Sequence, residues 1–239
     1  MNLNEKRFSL PYQEFVFTQH LRMYESRMLR SAVLKVIKPY SLLYHNHLND
    51  GVRFGYPLIQ YKVINGRGAI LYLGEGVEQI EALFHDVGKR DVYINGDKIS
   101  LEIYKIIPRL YHLQVYHGEA FRRYKLTNWL PVQDENYLKF KSMSTIKEQN
   151  DFLVDMLKKN ILAFAKGIGW FMEGEVKIKN FRRSALRWTS YKNVKFITYD
   201  VWFDANVFLP PHIGLGKGAA HNYGVLYPVK QKNHKQYER

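Results

Sequence analysis

Apolar residues recur along this chain at two different periods, and the changes of period mark out its elements. Residues 8–18 (FSLPYQEFVFT) predict an opening strand. From His20 to Ile37 the residues Leu21, Tyr24, Met28, Ala32 and Val36 return at helical spacing, with Pro39 as the stop. Arg22, Arg27 and Arg30 lie off that apolar stripe. Residues 54–65 (FGYPLIQYKVIN) read as a strand, Asn65-Gly66 as a two-residue hairpin turn, and Arg67–Leu73 as the returning strand. Gly74 and Gly76 lead into an acidic helix expected over 77–84. A second hairpin turn is expected at Asn95-Gly96, then a strand over 99–115 broken at Pro108. Strand, helix, hairpin, helix, strand is the order of a ferredoxin-like unit.

The second half repeats that order without repeating the sequence. Residues 124–132 predict a strand, and Thr145 with Glu148 forms a capping box. The helix it opens carries Leu153, Leu157, Ile161, Phe164 and Ile168 on one face and ends near 167–169. Strand-like segments follow over 173–181 and from Asn193 onward, and residues 200–209 alternate like a buried strand. A glycine-rich stretch, 210–224 (PPHIGLGKGAAHNYG), precedes a last strand over 223–229. The predicted class is α+β: two tandem ferredoxin-like (RRM/RAMP-like) folds, each an antiparallel sheet with helices on one face. The boundary falls near 116–123, giving units 1–118 and 119–239.

Composition narrows the function. With 46% apolar residues in 239, the chain can bury real cores. It has no cysteine, which excludes disulfides, zinc–thiolate sites and a cysteine nucleophile. No apolar run approaches the roughly 20 residues of a membrane span, and MNLNEKRFSL lacks a signal-peptide core. A soluble, cytoplasmic protein without membrane contact is expected. The net charge of +14 and pI near 9.7 predict a polyanionic partner, nucleic acid before membrane. Residues 1–116 hold 15 basic and 11 acidic side chains, residues 117–239 hold 21 and 11. Within the second half, residues 176–195 carry Lys177, Lys179, Arg182, Arg183, Arg187, Lys192 and Lys195 with no acid. Phe181, Trp188 and Tyr191 are threaded among them, a combination suited to a nucleic-acid backbone and unpaired bases.

Two stretches carry candidate chemistry. Gly214, Gly216, Gly218 and Gly224 with Lys217 directly follow a strand, where exposed N–H groups and an ammonium can hold a phosphate. A tight surface loop is the plainer reading. His45 and His47 sit two residues apart, and an extended backbone would turn both imidazoles to one side. They are open to three readings: loop histidines without a role, a metal pair with Asp50 as third ligand, or a general acid and base. The letters HNH also belong to a metal-nuclease module, whose further spaced ligands are not recognisable here. RNA supplies a reaction that needs only acid–base help. Its 2′-OH attacks the adjacent phosphorus when a base takes the proton and an acid protonates the departing 5′-oxygen.

These residues together resemble a known family. Residues 214–224, GLGKGAAHNYG, are similar to a G-h-G-x5-G-h-G loop (h apolar) at Gly214, Leu215, Gly216, Tyr223 and Gly224, with Asn222 in place of a glycine. Asparagine is the next most tolerant residue at positive φ, so the loop shape is expected to persist. Arg30-Ser31-Ala32, HNH at 45–47, YPLIQYKVING at 56–66 and GEGVEQIEAL at 74–83 are similar in order and spacing to the same family. The chain thus resembles the CRISPR-associated repeat-cleaving endoribonucleases of the RAMP superfamily (the "Cas six" proteins), and the subtype-I-B-like branch in particular.

The resemblance implies metal-independent cutting of the CRISPR repeat in precursor crRNA, with 2′,3′-cyclic phosphate and 5′-OH ends and no cofactor. It places His45 and His47 as the catalytic pair by position. Tyr40 and Tyr44 are candidates to position the phosphate. Arg30, Lys177, Lys179, Arg182, Arg183, Arg187 and Lys217, with Gly214, Gly216, Gly218 and Gly224, are candidates to grip RNA, from charge and place alone. Implied partners are repeat RNA, precursor crRNA and a Cascade-type effector complex, with the protein a monomer or homodimer. The alternatives are a RAMP-type subunit that holds crRNA without cutting it and a general basic nucleic-acid binder.

Overall fold

In the computed structural model, which describes residues 7–37, 44, 47–48, 51–52, 55–87, 92–99, 101–132, 134–191 and 194–230, two antiparallel sheets follow one another along the chain. The first lobe contains β1 (Phe8–His20), α1 (Ser26–Val36), β2 (His47–Leu48), β3 (Gly51–Val52), β4 (Ile59–Ile64) and β5 (Arg67–Leu73). It continues with α2 (Ile80–Val87), β6 (Val92–Ile94), β7 (Asp97–Ile99) and β8 (Ile103–Leu113). Its main sheet has the order β4-β5-β1-β8, the ferredoxin-like arrangement, while β2/β3 and β6/β7 form small separate ladders. Period-two alternation sends Phe15 and Phe17 to one face, where they meet Leu29 and Val33 of α1. Leu10, Tyr12 and Val16 go to the other face with Leu71 and Leu73. Because both faces are covered, every residue of β4 is buried, Gln60 and Lys62 included.

Both predicted hairpin turns form, with Asn65 and Gly66 at φ 50° and 76° and Asn95 and Gly96 at 55° and 89°. Three expectations need correction. The helix starts at Ser26 rather than His20, because β1 runs on to pair His20 with Arg67. The acidic helix opens with a 3-10 turn over Gly74–Gln79. And β8 passes unbroken through Pro108, opposite Gln13: it is an edge strand with one ladder partner, where a missing N–H is tolerated.

The chain crosses to the second lobe between Leu113 and Arg122. That lobe contains β9 (Arg122–Trp129), α3 (Asp134–Lys141), α4 (Ile146–Gly167), β10 (Ile178–Arg183), β11 (Arg187–Tyr191), β12 (Val194–Ala205) and β13 (Val225–Pro228). The order β10-β12-β9-β13 is again ferredoxin-like, with β11 folded back on the start of β12. The capping box is present: Glu148 N–H donates to Thr145 Oγ1 at 3.1 Å and Thr145 N–H to Glu148 Oε2 at 3.0 Å. Leu153, Leu157, Ile161 and Phe164 of α4 join one core with Tyr124, Leu126, Tyr199 and Phe203 of the sheet. Where the fold would place its second helix, between β12 and β13, the chain instead runs through the glycine-rich stretch. Among the described residues no helix is long and apolar enough to cross a membrane.

Candidate nucleic-acid interface

The glycine-rich stretch is wedged against the first lobe. It seals the outer edge of β4: Tyr61 N–H donates to Ala220 O (2.8 Å) and Val63 N–H to Asn222 Oδ1 (3.0 Å). Gly214 N–H donates to Gln60 Oε1 at 2.9 Å, and Tyr56 hydroxyl to Gly214 O at 2.8 Å. Between them Lys62 Nζ, with its side chain fully buried, donates to Ala219 O (2.7 Å) and His221 O (2.5 Å). Burial drives this ammonium's pKa well below its ordinary value. A Cβ on Gly224 would stand 2.1 Å from Leu215 O, so that position accepts glycine alone. Asn222 does not take a positive φ; its side chain is there to cap Val63, which corrects the reason expected for it. The tip of the stretch, residues 216–218, is partly exposed, and there Lys217 Nζ lies 4.4 Å over the Phe196 ring.

A cleft of about 900 Å³ opens between the lobes. One wall is the start of α1 with the β4–β5 turn, supplying Arg22 and Arg27; the other is the open face of the second sheet, supplying Lys125, Arg187 and Tyr227, with Tyr223 from the end of the glycine-rich stretch. Asp200 sits among these cations, accepting from Arg187 Nη2 at 2.5 Å and from Asn128 N–H at 2.8 Å, with Lys125 Nζ at 3.9 Å. Burial pushes its carboxyl up, but the bonds from Arg187 and Asn128 and the charges of Arg187 and Lys125 prevail and hold it below the usual value. The cleft therefore keeps a positive balance on a surface drawn from both lobes.

Strand alternation divides the basic stretch 176–195 between two faces. Arg182 points to the open face, opposite Trp202. Arg183 turns behind the sheet, donating to Gln149 Oε1 (2.8 Å) and Tyr199 hydroxyl (3.1 Å). Lys177 is exposed, and Lys179 is ion-paired with Glu119 at 2.6 Å. Arg187 reaches the cleft, and Arg30 is half-buried on α1. Tyr44 is in the core of the first lobe, its hydroxyl 2.8 Å from that of Tyr72 and donating to Gln79 O at 3.0 Å. His47 lies in β2, paired with Val52; His45, Tyr40, Asp50 and Lys192 lie outside the described residues. Sequence reasoning missed Lys125, Trp202 and Tyr227. It also missed buried Glu14, which accepts from Tyr12 hydroxyl (2.6 Å) and from Nδ1–H of His212 (2.8 Å) across the lobes. A glutamate on the core-facing positions of an apolar strand was the signal available for the last.

The Cas6b N-terminal domain family matches residues 9–109, and the Cas6b C-terminal domain family matches residues 116–238. A crystal structure of Cas6b is similar in fold, with 22% identity, TM-score 0.82 and coverage of 93% of this chain and 100% of that one. A second crystal structure, of the CRISPR RNA processing endoribonuclease Cas6b, has 22% identity, the same coverages and TM-score 0.69. The uncharacterized protein MJ0978 of Methanocaldococcus jannaschii is 22% identical over 149 residues, 59% of this chain and 99% of that protein.

Proposed function

The chain belongs to the Cas6b family over both of its halves, and on that premise we propose that it is an endoribonuclease that binds CRISPR repeat RNA and cuts precursor crRNA into guide units. That two-part match carries the reading, and the positive cleft between the lobes supports it with a place for a polyanion. Arg22, Arg27, Lys125 and Arg187 line that cleft, with Arg182 beside it and Lys217 at the tip of the glycine-rich stretch. All can meet phosphates.

The proposed chemistry is attack by the RNA's own 2′-OH. One of His45 and His47 takes the 2′-OH proton as the 2′-oxygen–phosphorus bond forms. The other gives a proton to the 5′-oxygen as its bond to phosphorus breaks. The products are a 2′,3′-cyclic phosphate and a 5′-OH, and no metal enters the balance. Tyr40 is near enough in sequence to help position the phosphate; Tyr44, engaged in the core, acts at most by holding this segment in place.

The test is cleavage of a labelled repeat RNA by wild type, His45→Ala and His47→Ala, each with EDTA present. Each variant is expected to lose about a hundredfold or more in single-turnover rate, while wild type keeps its rate in the chelator. Full cutting by both variants would remove the histidine assignment. Loss of wild-type cutting in EDTA would favour a metal reaction, and tight binding without any cutting would favour a crRNA-holding subunit.

A further inference from the structure

The open face of the second sheet carries a row of side chains that begins in the cleft and continues beyond it. Four residues stand in one cross-strand row: Arg182 on β10 opposite Trp202 on β12, Trp202 opposite Lys125 on β9, and Lys125 opposite Tyr227 on β13. Directly opposed residues of antiparallel strands share a face, so the four side chains form a line of cation, aromatic, cation, aromatic. Three strand spacings make the line roughly 14 Å long. Lys125 Nζ is 5.1 Å from the centre of the Trp202 ring. Trp202 keeps 36% of its surface exposed in the middle of a sheet whose neighbouring positions Val201 and Phe203 are buried. Among the described residues, α4 packs on the opposite face, in one core with Tyr124, Leu126 and Tyr199.

An exposed tryptophan between two cations needs a partner with both a flat apolar face and negative charge. Unpaired nucleotides have both, because each base offers a π-face and each link a phosphate. We propose that the row Arg182–Trp202–Lys125–Tyr227 is a stacking platform for two or three unpaired nucleotides of bound RNA. It runs from the outer edge of the second sheet into the interlobe cleft, whose lining includes its last two members. The inference rests on the proposed RNA function and adds to it a way of preferring single-stranded over paired segments. Trp202 is the anchor, and Lys125 and Arg182 are placed to hold the flanking phosphates.

The experiment is fluorescence anisotropy with a labelled, unstructured RNA of about ten nucleotides, alongside a duplex RNA of the same length. Trp202→Ala is expected to raise Kd for the single strand about tenfold, and Trp202→Phe to stay within about threefold of wild type because a ring is kept. Duplex binding should be unchanged in both. Lys125→Met should flatten the dependence of log K on log salt by about 0.7. Phe171, 87% exposed and outside every strand of the second sheet, is the control, and Phe171→Ala should leave Kd unchanged. Equal single-strand affinity in wild type and Trp202→Ala would overturn the platform alone. So would equal losses for the single strand and the duplex. Wild-type protein that binds neither RNA would overturn the platform together with the function it rests on.

Discussion

Lys62 is the residue whose chemistry is most at odds with its surroundings. Its ammonium is fully buried and meets two backbone carbonyls, Ala219 O and His221 O. Because its folded pKa is well below the ordinary 10.5, the unfolded chain binds more protons between those two values. Lys62 therefore adds stability as pH rises toward 10.5 and subtracts it as pH falls through the depressed value. Lys62→Met removes the charge but leaves two carbonyls without a donor, a loss of about 1–3 kcal/mol. The stability gap between wild type and Lys62→Met, from urea melts, should widen as pH goes from 7 to 9.5. Parallel pH profiles for the two proteins would contradict this. The site was only partly legible at this scale. The sequence shows Lys62 in an apolar run and Glu14 in another, but the partners they meet in the second lobe lie more than 150 positions away and leave no local pattern.

Among elements, those with their own local chemistry were readable. Asn-Gly turns and the Thr145–Glu148 box depend on a few adjacent residues, and both hairpins and α4 followed. β11 and α3 were not, because one is a basic segment that becomes a strand only by pairing with β12, and the other shows little apolar periodicity. The glycine-rich stretch was readable as a feature but not in its role, since wedging against β4 is a long-range event. Two glycines at positive φ separate its role from that of an ordinary turn. A Cβ added to Gly96 (φ +89°) would meet nothing within 4 Å, whereas one added to Gly224 (φ +57°) would stand 2.1 Å from Leu215 O. Gly96→Ala should cost about 1 kcal/mol in a denaturant melt and Gly224→Ala about 3 kcal/mol or more. Equal costs would mean that the stretch yields easily and is not a tight wedge.

At the level of the whole molecule, the two lobes share one continuous apolar core. Leu10, Leu71 and Leu73 of the first sheet cluster with Leu126, Phe164 and Leu215 of the second lobe. The Tyr56 and Phe164 rings meet at 5.2 Å, and the Tyr12 hydroxyl oxygen lies 3.2 Å from Pro211 O. Heating should therefore give one calorimetric transition, with calorimetric and van't Hoff enthalpies equal, rather than one transition per lobe. Two resolved peaks would show the lobes to be energetically separate.

The seal on β4 also sets a schedule for synthesis. Lys62 and its acceptor Ala219 are 157 residues apart, so at about 5–20 residues per second the ribosome takes on the order of ten seconds or more to supply the second after the first. Throughout that interval the nascent first lobe has a strand edge with unused N–H groups, a template for pairing with another chain. A charged lysine in the middle of that strand discourages such pairing while water still surrounds it. The side chain that later locks the lobes together first serves as the guard of an unfinished edge.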